Sequence, residues 1–297
     1  MVSSSDFDVC VVGPMTKDIV RVGQTMRIAS GGTAYYTAMA LKRLGLSVAV
    51  VTKGAGNDRE DLLRELTLEK VTVFWKDGET TSAFENIYSG RGLDTRTQVL
   101  KSAGTPFSVE DVTKLSAWAF HFGPLVKQDI PLPVLKQAGG KGKIVSLDVQ
   151  GMVRPARLGT ITQEDRADKK KWLQYVHILK ANETEAFILS GENNIDRAAA
   201  VLASFGPTEV VITLGGRGSL VYTGHRLHKI PSWAPRRLVD PTGCGDTYMA
   251  GYLYERLRGK PPETAARFGA AMASLKLESR GPFMGGQADI HAVLSRK

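Results

Sequence analysis

VDPTGCGDTYMAGYL, residues Val239 to Leu253, sets two carboxylates, two glycines, a threonine and a cysteine into seven positions and then runs into an apolar helix. Upstream, RRLVD reads as a strand, so the glycines fall at a helix N-terminus, where free backbone N–H groups and the positive end of the dipole attract anions. Glycine lets those N–H groups converge without a Cβ in the way. A carboxylate inside an anion site is electrostatically unfavourable, so Asp246 requires a reason to be there. It is either an acid in the first turn complementing the dipole, worth about 0.3–1 kcal/mol, or a general base. As a base it takes a proton from a substrate hydroxyl while the adjacent amides hold a phosphoryl group in transfer. An alcohol is too weak an acid to be ionised beforehand by a carboxylate, so proton transfer must accompany phosphoryl transfer.

Outward from this stretch the chain alternates. FDVCVVG is a short Val-rich run ended by glycine and reads as a buried strand, and KDIVRVG as a half-exposed one. TAYYTAMALKRLG has helical spacing and stops at Gly45, and the strand SVAVVTKGAG follows. Further strands (AWAFHFG, KIVSLDVQ, VHILKA) alternate with helices (IPLPVLKQAG, ETEAFILSG, IDRAAAVLASFG). EVVITLGGRGSLVYTG reads as two strands around a turn, and helices over 244–258 and 262–279 close the chain. This order is the signature of a mostly parallel sheet covered by helices. The stretch from Val71 to Val99 differs: it is rich in Thr, aromatic and β-branched residues, with turn signals at Asp77-Gly78 and Gly90–Gly92, and reads as antiparallel strands. The simplest organisation is one α/β domain over residues 1–297 with a β lid built from segments near 15–30 and 71–100.

The chain of 297 residues is 42% hydrophobic, ample for a core. No stretch approaches the roughly 20 apolar residues needed to cross a membrane, and the start lacks the basic and apolar regions of a secretory signal. The two cysteines, Cys10 and Cys244, form neither a disulfide framework nor a metal-ligand spacing, and a cytoplasmic setting is expected. The formal charge of +9 raises the question of nucleic acid, but the basic residues are scattered. The densest run, DRADKKKWLQ, alternates with acids like a solvated helix face. A basic balance also suits an anionic small substrate such as a nucleotide. No strand is followed by G-x-G-x-x-G, which disfavours a dinucleotide-binding enzyme, and a P-loop is also absent.

DPTGCGD resembles the D-T-x-G-x-G-D signature of the PfkB, or ribokinase-like, carbohydrate kinases, and GGTAYYTAMALKRLG resembles that family's N-terminal di-glycine signature. KANETE matches its N-x-x-E element through Asn182 and Glu185. TLGGRGSLV matches its T-x-G-x-x-G nucleotide element through Thr213, Gly215 and Gly218. The resemblance implies a three-layer α/β/α fold with a small β-sheet lid, and ATP-dependent phosphorylation of a hydroxyl. It implies Asp246 as base, the amides of Gly243, Cys244 and Gly245 as an anion hole, and Thr242 beside the nucleotide. Asn182 and Glu185 then organise Mg²⁺, with Glu185 acting through water because Mg²⁺ dehydrates reluctantly. Read without the resemblance, Asn182 is a helix N-cap, Glu185 a surface acid and Thr213–Gly218 an ordinary hairpin turn. Whether a monovalent cation rigidifies the anion-hole loop stays open.

On the acceptor side, Asp18 matches the family's sugar-binding aspartate, and one carboxylate can accept hydrogen bonds from two neighbouring hydroxyls. Gly31 and Gly32 let backbone approach the substrate, or merely begin a helix. Tyr36 stands where many family members carry Asn, which shrinks the pocket. Asp148, Gln150 and Arg154, in D-x-Q-x-x-x-R, are similar to inositol-kinase-like members; Arg154 either holds a substrate group or pairs with Asp148. Glu85 is a lid candidate for substrate binding, against the commoner exposed strand acid. Cys244 has no dedicated base and is not a nucleophile, although a helix N-terminus lowers thiol pKa, and its alkylation is expected to block the anion hole. The expected substrates are ATP and a sugar or cyclic polyol, inositol-like favoured. The alternatives are a nucleoside kinase stacking a base on Phe120, Phe122 or Trp233, and a catalytically silent sugar-binding regulator. An exposed lid edge would favour a homodimer.

Overall fold

Valine-rich runs without a polar break make strands that are buried on both faces, and such strands form the middle of a parallel sheet. The computed structural model describes residues 6–88 and 96–296. Its strands are β1 Phe7–Val12, β2 Thr16–Val22, β3 Thr25–Gly31, β4 Val48–Gly54, β5 Thr72–Asp77, β6 Ser82–Tyr88 and β7 Arg96–Ser102. They continue as β8 Ala117–Phe122, β9 Ile144–Asp148, β10 Gly159–Thr160, β11 Ile178–Asn182, β12 Glu209–Thr213, β13 Ser219–Thr223 and β14 Arg226–Ile230. A nine-stranded sheet runs in the order β14-β13-β12-β11-β9-β8-β1-β4-β5. It is parallel from β5 to β12 and antiparallel only in the β12-β13-β14 meander.

Alternate side chains of β1 feed two cores. Cys10 and Val12 pack with the helices Leu132–Gly139, Glu183–Ser190 and Ile195–Ala203 on one face. Val9 and Val11 pack with Thr33–Arg43, Cys244–Leu257 and Pro262–Lys276 on the other. The result is the ribokinase-like α/β/α sandwich that the motif order implied.

The lid is a five-stranded sheet in the order β10-β7-β6-β2-β3, with β2 and β6 parallel and the other pairs antiparallel. Its make-up corrects the sequence reading in one respect. Thr72–Asp77, grouped with the excursion because of its Thr and aromatic content, pairs in parallel with β4 as the edge of the main sheet. β-branched and aromatic residues mark a strand without saying which sheet it joins. The expected turn at Gly90–Gly92 lies outside the described residues.

RRLVD is also no strand. Pro235 and Pro241 bracket that segment on either side, and the Val239 and Asp240 amides both donate to one carbonyl, that of Leu277, at 2.7 and 3.3 Å rather than to a ladder. Helices Arg59–Leu68 and Gln287–Leu294 complete the layers where no helix was read. No described helix is long and apolar enough to cross a membrane.

Candidate active site

The helix Cys244–Leu257 begins at Gly243, whose φ of 77° is left-handed. A Cβ there would lie 2.3 Å from Cδ1 of Tyr36, so both the backbone and the ring lying over it require glycine. Asp240 fixes the approach to this turn by accepting the Thr242 N–H at 2.9 Å. The C-terminal ends of β9, β11 and β12 open opposite the turn, as ligand sites in parallel sheets do. They present Asp148, Lys180, Asn182 and Thr213 to a cavity of ≈ 230 Å³ whose wall also holds Tyr36, Thr242, Gly243, Cys244, Gly245 and Asp246.

Lys180 is the charge at the centre of this wall. Its Nζ donates to Asp148 Oδ2 at 2.8 Å, and a Cβ on Gly245 would lie 3.0 Å from it. Burial opposes its charge, but Asp148, Glu185 and Asp246 around it hold the ammonium above the usual lysine range. Asp246 keeps part of its surface open to the cavity. The protein packed around it nevertheless pushes its carboxyl up to about 6, with the Asp148 charge adding to the rise. Lys180, a hydrogen bond from Thr33 and Arg154 oppose it. A carboxylate poised there accepts a proton at neutral pH more readily than an ordinary aspartate.

The lid closes the other side. Period-two alternation turns Thr16 and Asp18 of β2, and Phe84 and Asn86 of β6, to the inner face. Thr16 donates to Asp18 Oδ1 at 2.7 Å, and Gly31 leaves room for the carboxylate, since a Cβ there would meet Oδ2 at 2.5 Å. A line of amides runs on from Asp18. Asn86 Nδ2 donates to Asp18 Oδ2 at 3.5 Å, Gln98 Nε2 to Asn86 Oδ1 at 3.1 Å, and Arg154 Nη1 to Gln98 Oε1 at 3.0 Å. Gln150 and Gly32 complete this wall. Tyr88 Oη lies 3.2 Å from Thr242 Oγ1, and Arg27 Nη2 lies 3.8 Å from Asp240 Oδ2, so two lid strands reach the glycine turn.

Glu85 does not join this group. Alternation puts it on the outer face of β6, where it accepts from Arg21 Nε at 2.9 Å and lies 3.7 Å from Lys101 Nζ. Asn182 and Glu185 form a capping box: Asn182 Oδ1 accepts the Glu185 N–H at 2.9 Å, and Glu185 Oε2 accepts the Asn182 N–H at 2.8 Å. Glu185 is not the surface acid of the simpler alternative, because it is fully buried and its Oε1 has no hydrogen-bond partner. Burial pushes the Glu185 carboxyl up while the Lys180 charge opposes the rise, and the orphaned oxygen has the chemistry to take a cation or its water. Cys244 departs from expectation, since burial pushes its thiol up to about 12, with the Asp240 and Asp246 charges adding and Lys276 opposing.

A second cavity of ≈ 610 Å³ opens on the far side of the same turn. Thr213, Gly215 and Gly218 line it together with Trp233, Leu238 and Ala270. Gly218, at φ 92°, lets the turn pass within 2.1 Å of the Ile230 carbonyl, measured from where a Cβ would stand. Phe120 and Phe122 reach neither cavity, being wholly buried in the core.

The sequence reading missed Lys180, Asn86, Gln98 and Thr33 as members of the site. A signal existed for two of them. Lys180 shares the strand face of Asn182, two residues on, and Asn86 shares that of Phe84 while Glu85 cannot. Gln98 and Thr33 carried none, because their roles depend on pairing across distant elements.

Fold and site together define a sugar- or nucleoside-type kinase, and the comparisons agree. Residues 4–284 match the pfkB family carbohydrate kinases, and the chain belongs to that family. It is 28% identical over 282 residues to a cytidine kinase of Thermococcus kodakarensis, covering 92% of this chain and 97% of the relative. It is 30% identical over 267 residues to a nucleoside kinase of Methanothermobacter thermautotrophicus, covering 86% and 81%. Among solved structures it resembles a pyrophosphate-dependent kinase in the ribokinase family, complexed with a pyrophosphate analog and myo-inositol. That likeness has a TM-score of 0.86 at 27% identity over 96% of this chain and 100% of the other.

Proposed function

We propose that the chain, acting as a single kinase domain, transfers the terminal phosphoryl group of ATP to a hydroxyl of a cyclic polyol or sugar. The observation that carries this reading is the glycine turn shared by two unlike cavities, one small and polar, the other larger and apolar. The polar cavity takes the acceptor. Asp18, backed by Thr16 and Asn86, accepts hydrogen bonds from two neighbouring hydroxyls, while Gln150 and Arg154 reach the remaining edge of the ring. Tyr36 bounds the cavity and favours a compact ring over an extended one. Asp246 takes the proton of the attacked hydroxyl as the new P–O bond forms. The amides of Gly243, Cys244 and Gly245, with the Lys180 ammonium, stabilise the charge on the transferring group.

The apolar cavity takes the donor. Trp233, Leu238 and Ala270 offer surface for a nucleobase, Thr213, Gly215 and Gly218 give backbone for ribose and phosphate, and Thr242 faces the phosphate path. Mg²⁺, when bound with the nucleotide, neutralises phosphate charge; the free Oε1 of Glu185, held in place by Asn182, fits a water-mediated hold on it.

Two further readings have specific support. Pyrophosphate as donor is favoured by the likeness to a pyrophosphate-dependent kinase, and the apolar cavity stands against it. A nucleoside as acceptor is favoured by the archaeal relatives. The core positions of Phe120 and Phe122 leave only Trp233 of the expected stacking residues at a cavity, and it lies on the donor side. Product analysis with ATP and with pyrophosphate, each across inositols, hexoses, pentoses and nucleosides, decides both questions. Phosphorylation of an inositol or hexose from ATP is the expected result, and a nucleoside monophosphate as sole product would overturn the acceptor assignment.

We also propose a homodimer through the lid, whose edge strand β3 exposes Met26 and Ile28 by 59% and 67%. An unpaired edge with apolar side chains invites a second strand. Sedimentation should give a dimer that Ile28→Asp returns to monomer.

A further inference from the structure

A second lysine is buried behind the glycine turn and lines neither cavity. Lys276, the last residue of the helix Pro262–Lys276, has no solvent exposure. Its Nζ donates to the backbone carbonyl of Asp240 at 3.0 Å and to that of Ser279 at 3.2 Å. Burial lowers its basicity, against which the nearby Cys244 and Asp240 act, while Arg27 adds to the lowering. Removing an ammonium from water costs several kcal/mol unless its new partners compensate, so a lysine kept there answers a local need for positive charge.

The need is visible in what Asp240 does. Its N–H donates to the Leu277 carbonyl at 3.3 Å, its carboxylate accepts the Thr242 N–H at 2.9 Å, and its Oδ2 lies 3.8 Å from Arg27 of the lid. Asp240 is therefore the hinge pin of the turn. Its carbonyl and that of Ser279 come from two chain segments and converge on one point, where their negative ends repel unless a cation lies between them. A dissolved monovalent cation is one answer to such a pair of carbonyls, and the Lys276 ammonium occupies that position here. The arrangement does not fit a bound monovalent ion, because the Lys276 ammonium already stands where the two carbonyls converge and repels a second cation.

We infer that Lys276 is the built-in cation of the glycine turn, a positioning residue that clamps Asp240 to the 276–279 segment and makes the protein independent of dissolved monovalent cations. A tethered ammonium is present at high effective concentration at any salt composition. It acts through Asp240 and Thr242 on the turn carrying Gly243 and Gly245, and touches no reacting atom. Loss of the clamp lets the turn shift, and misplacement of about 1 Å near reacting groups costs on the order of 100-fold in rate.

The inference rests on the kinase reading for its kinetic arm only; its melting arm stands without it. Wild-type protein is melted, and its turnover measured, in potassium, sodium and choline chloride at equal ionic strength. Both quantities should be the same in all three salts. Lys276→Met, which keeps the length of the side chain without its charge, should lower kcat by about 10–100-fold with a much smaller change in acceptor KM. Lys276→Ala, which leaves room for an ion, should melt several degrees lower in choline and recover in potassium or ammonium chloride. Melting or turnover of the wild type that rises specifically with potassium would overturn the inference, even if neither variant folds. Full kcat in Lys276→Met would overturn it as well. If no acceptor is phosphorylated at all, the kinase reading falls while the melting comparison still judges Lys276.

Discussion

The two cavities that meet at the Gly243–Gly245 turn are built from opposite chemistry. On one side Asp18, Asn86 and Gln98 of the lid form a continuous line of hydrogen bonds that ends on Arg154, with Asp148 and Lys180 facing it from the sheet and Asp246 from the helix behind the turn. On the other, Trp233, Leu238 and Ala270 make a largely apolar slot. The turn is their common wall. The contrast shows how one loop can serve two ligands: a group needing many directed bonds is held where polar side chains are pinned by one another, and a flat apolar group is held where none are required.

The contrast can be broken at the turn or on either side of it. Asp246→Asn should have the largest effect, cutting turnover by about 10²–10⁴-fold while calorimetric ATP binding persists, because Asp246 lines the polar cavity and not the apolar one. Lys180→Met should lower kcat by about 10²–10³-fold, the cost of removing one charge-stabilising donor. It should also raise the Asp246 carboxyl, since Lys180 holds that pKa down, and so move the acid limb of kcat/KM to higher pH. An unmoved limb would mean that the two side chains are not coupled. Trp233→Ala should raise KM for ATP by roughly tenfold through loss of an aromatic contact and leave acceptor KM alone; an equal KM for both donors before and after would instead favour pyrophosphate. Glu85→Gln should change activity by less than about twofold, as suits an ion pair on the outer face of the lid.

The main sheet was legible because its buried strands are unbroken apolar runs and its helices have capped, periodic patterns. Both signals are local. The glycine turn was legible for the same reason, its function being carried by consecutive residues from Asp240 to Asp246. The lid was less so. Thr72–Asp77 has lid-like composition and sheet-edge pairing, and nothing within those six residues distinguishes the two. Glu85 was assigned by its charge, whereas the alternation of SAFENIY, with Phe84 and Asn86 buried, sends it outward. Lys180 was hidden inside a motif read for Asn182 and Glu185. The Lys276 clamp depends on a carbonyl 36 residues away in sequence, and no spacing rule reaches that far. Cys244 was read from its place at a helix terminus, whereas the burial that raises its thiol comes from packing elsewhere in the fold.

The central claim is that Asp246 is the base between the two cavities, and the pH dependence of phosphoryl transfer tests it most directly. Its carboxyl is pushed up to about 6, and only the ionised form can accept the acceptor's proton. Activity should therefore be full above that value and fall as pH drops through it. The account expects this limb in kcat/KM of the wild type, and its disappearance from the residual activity of Asp246→Asn. The same limb at the same pH in the variant would assign it to another group and contradict the account.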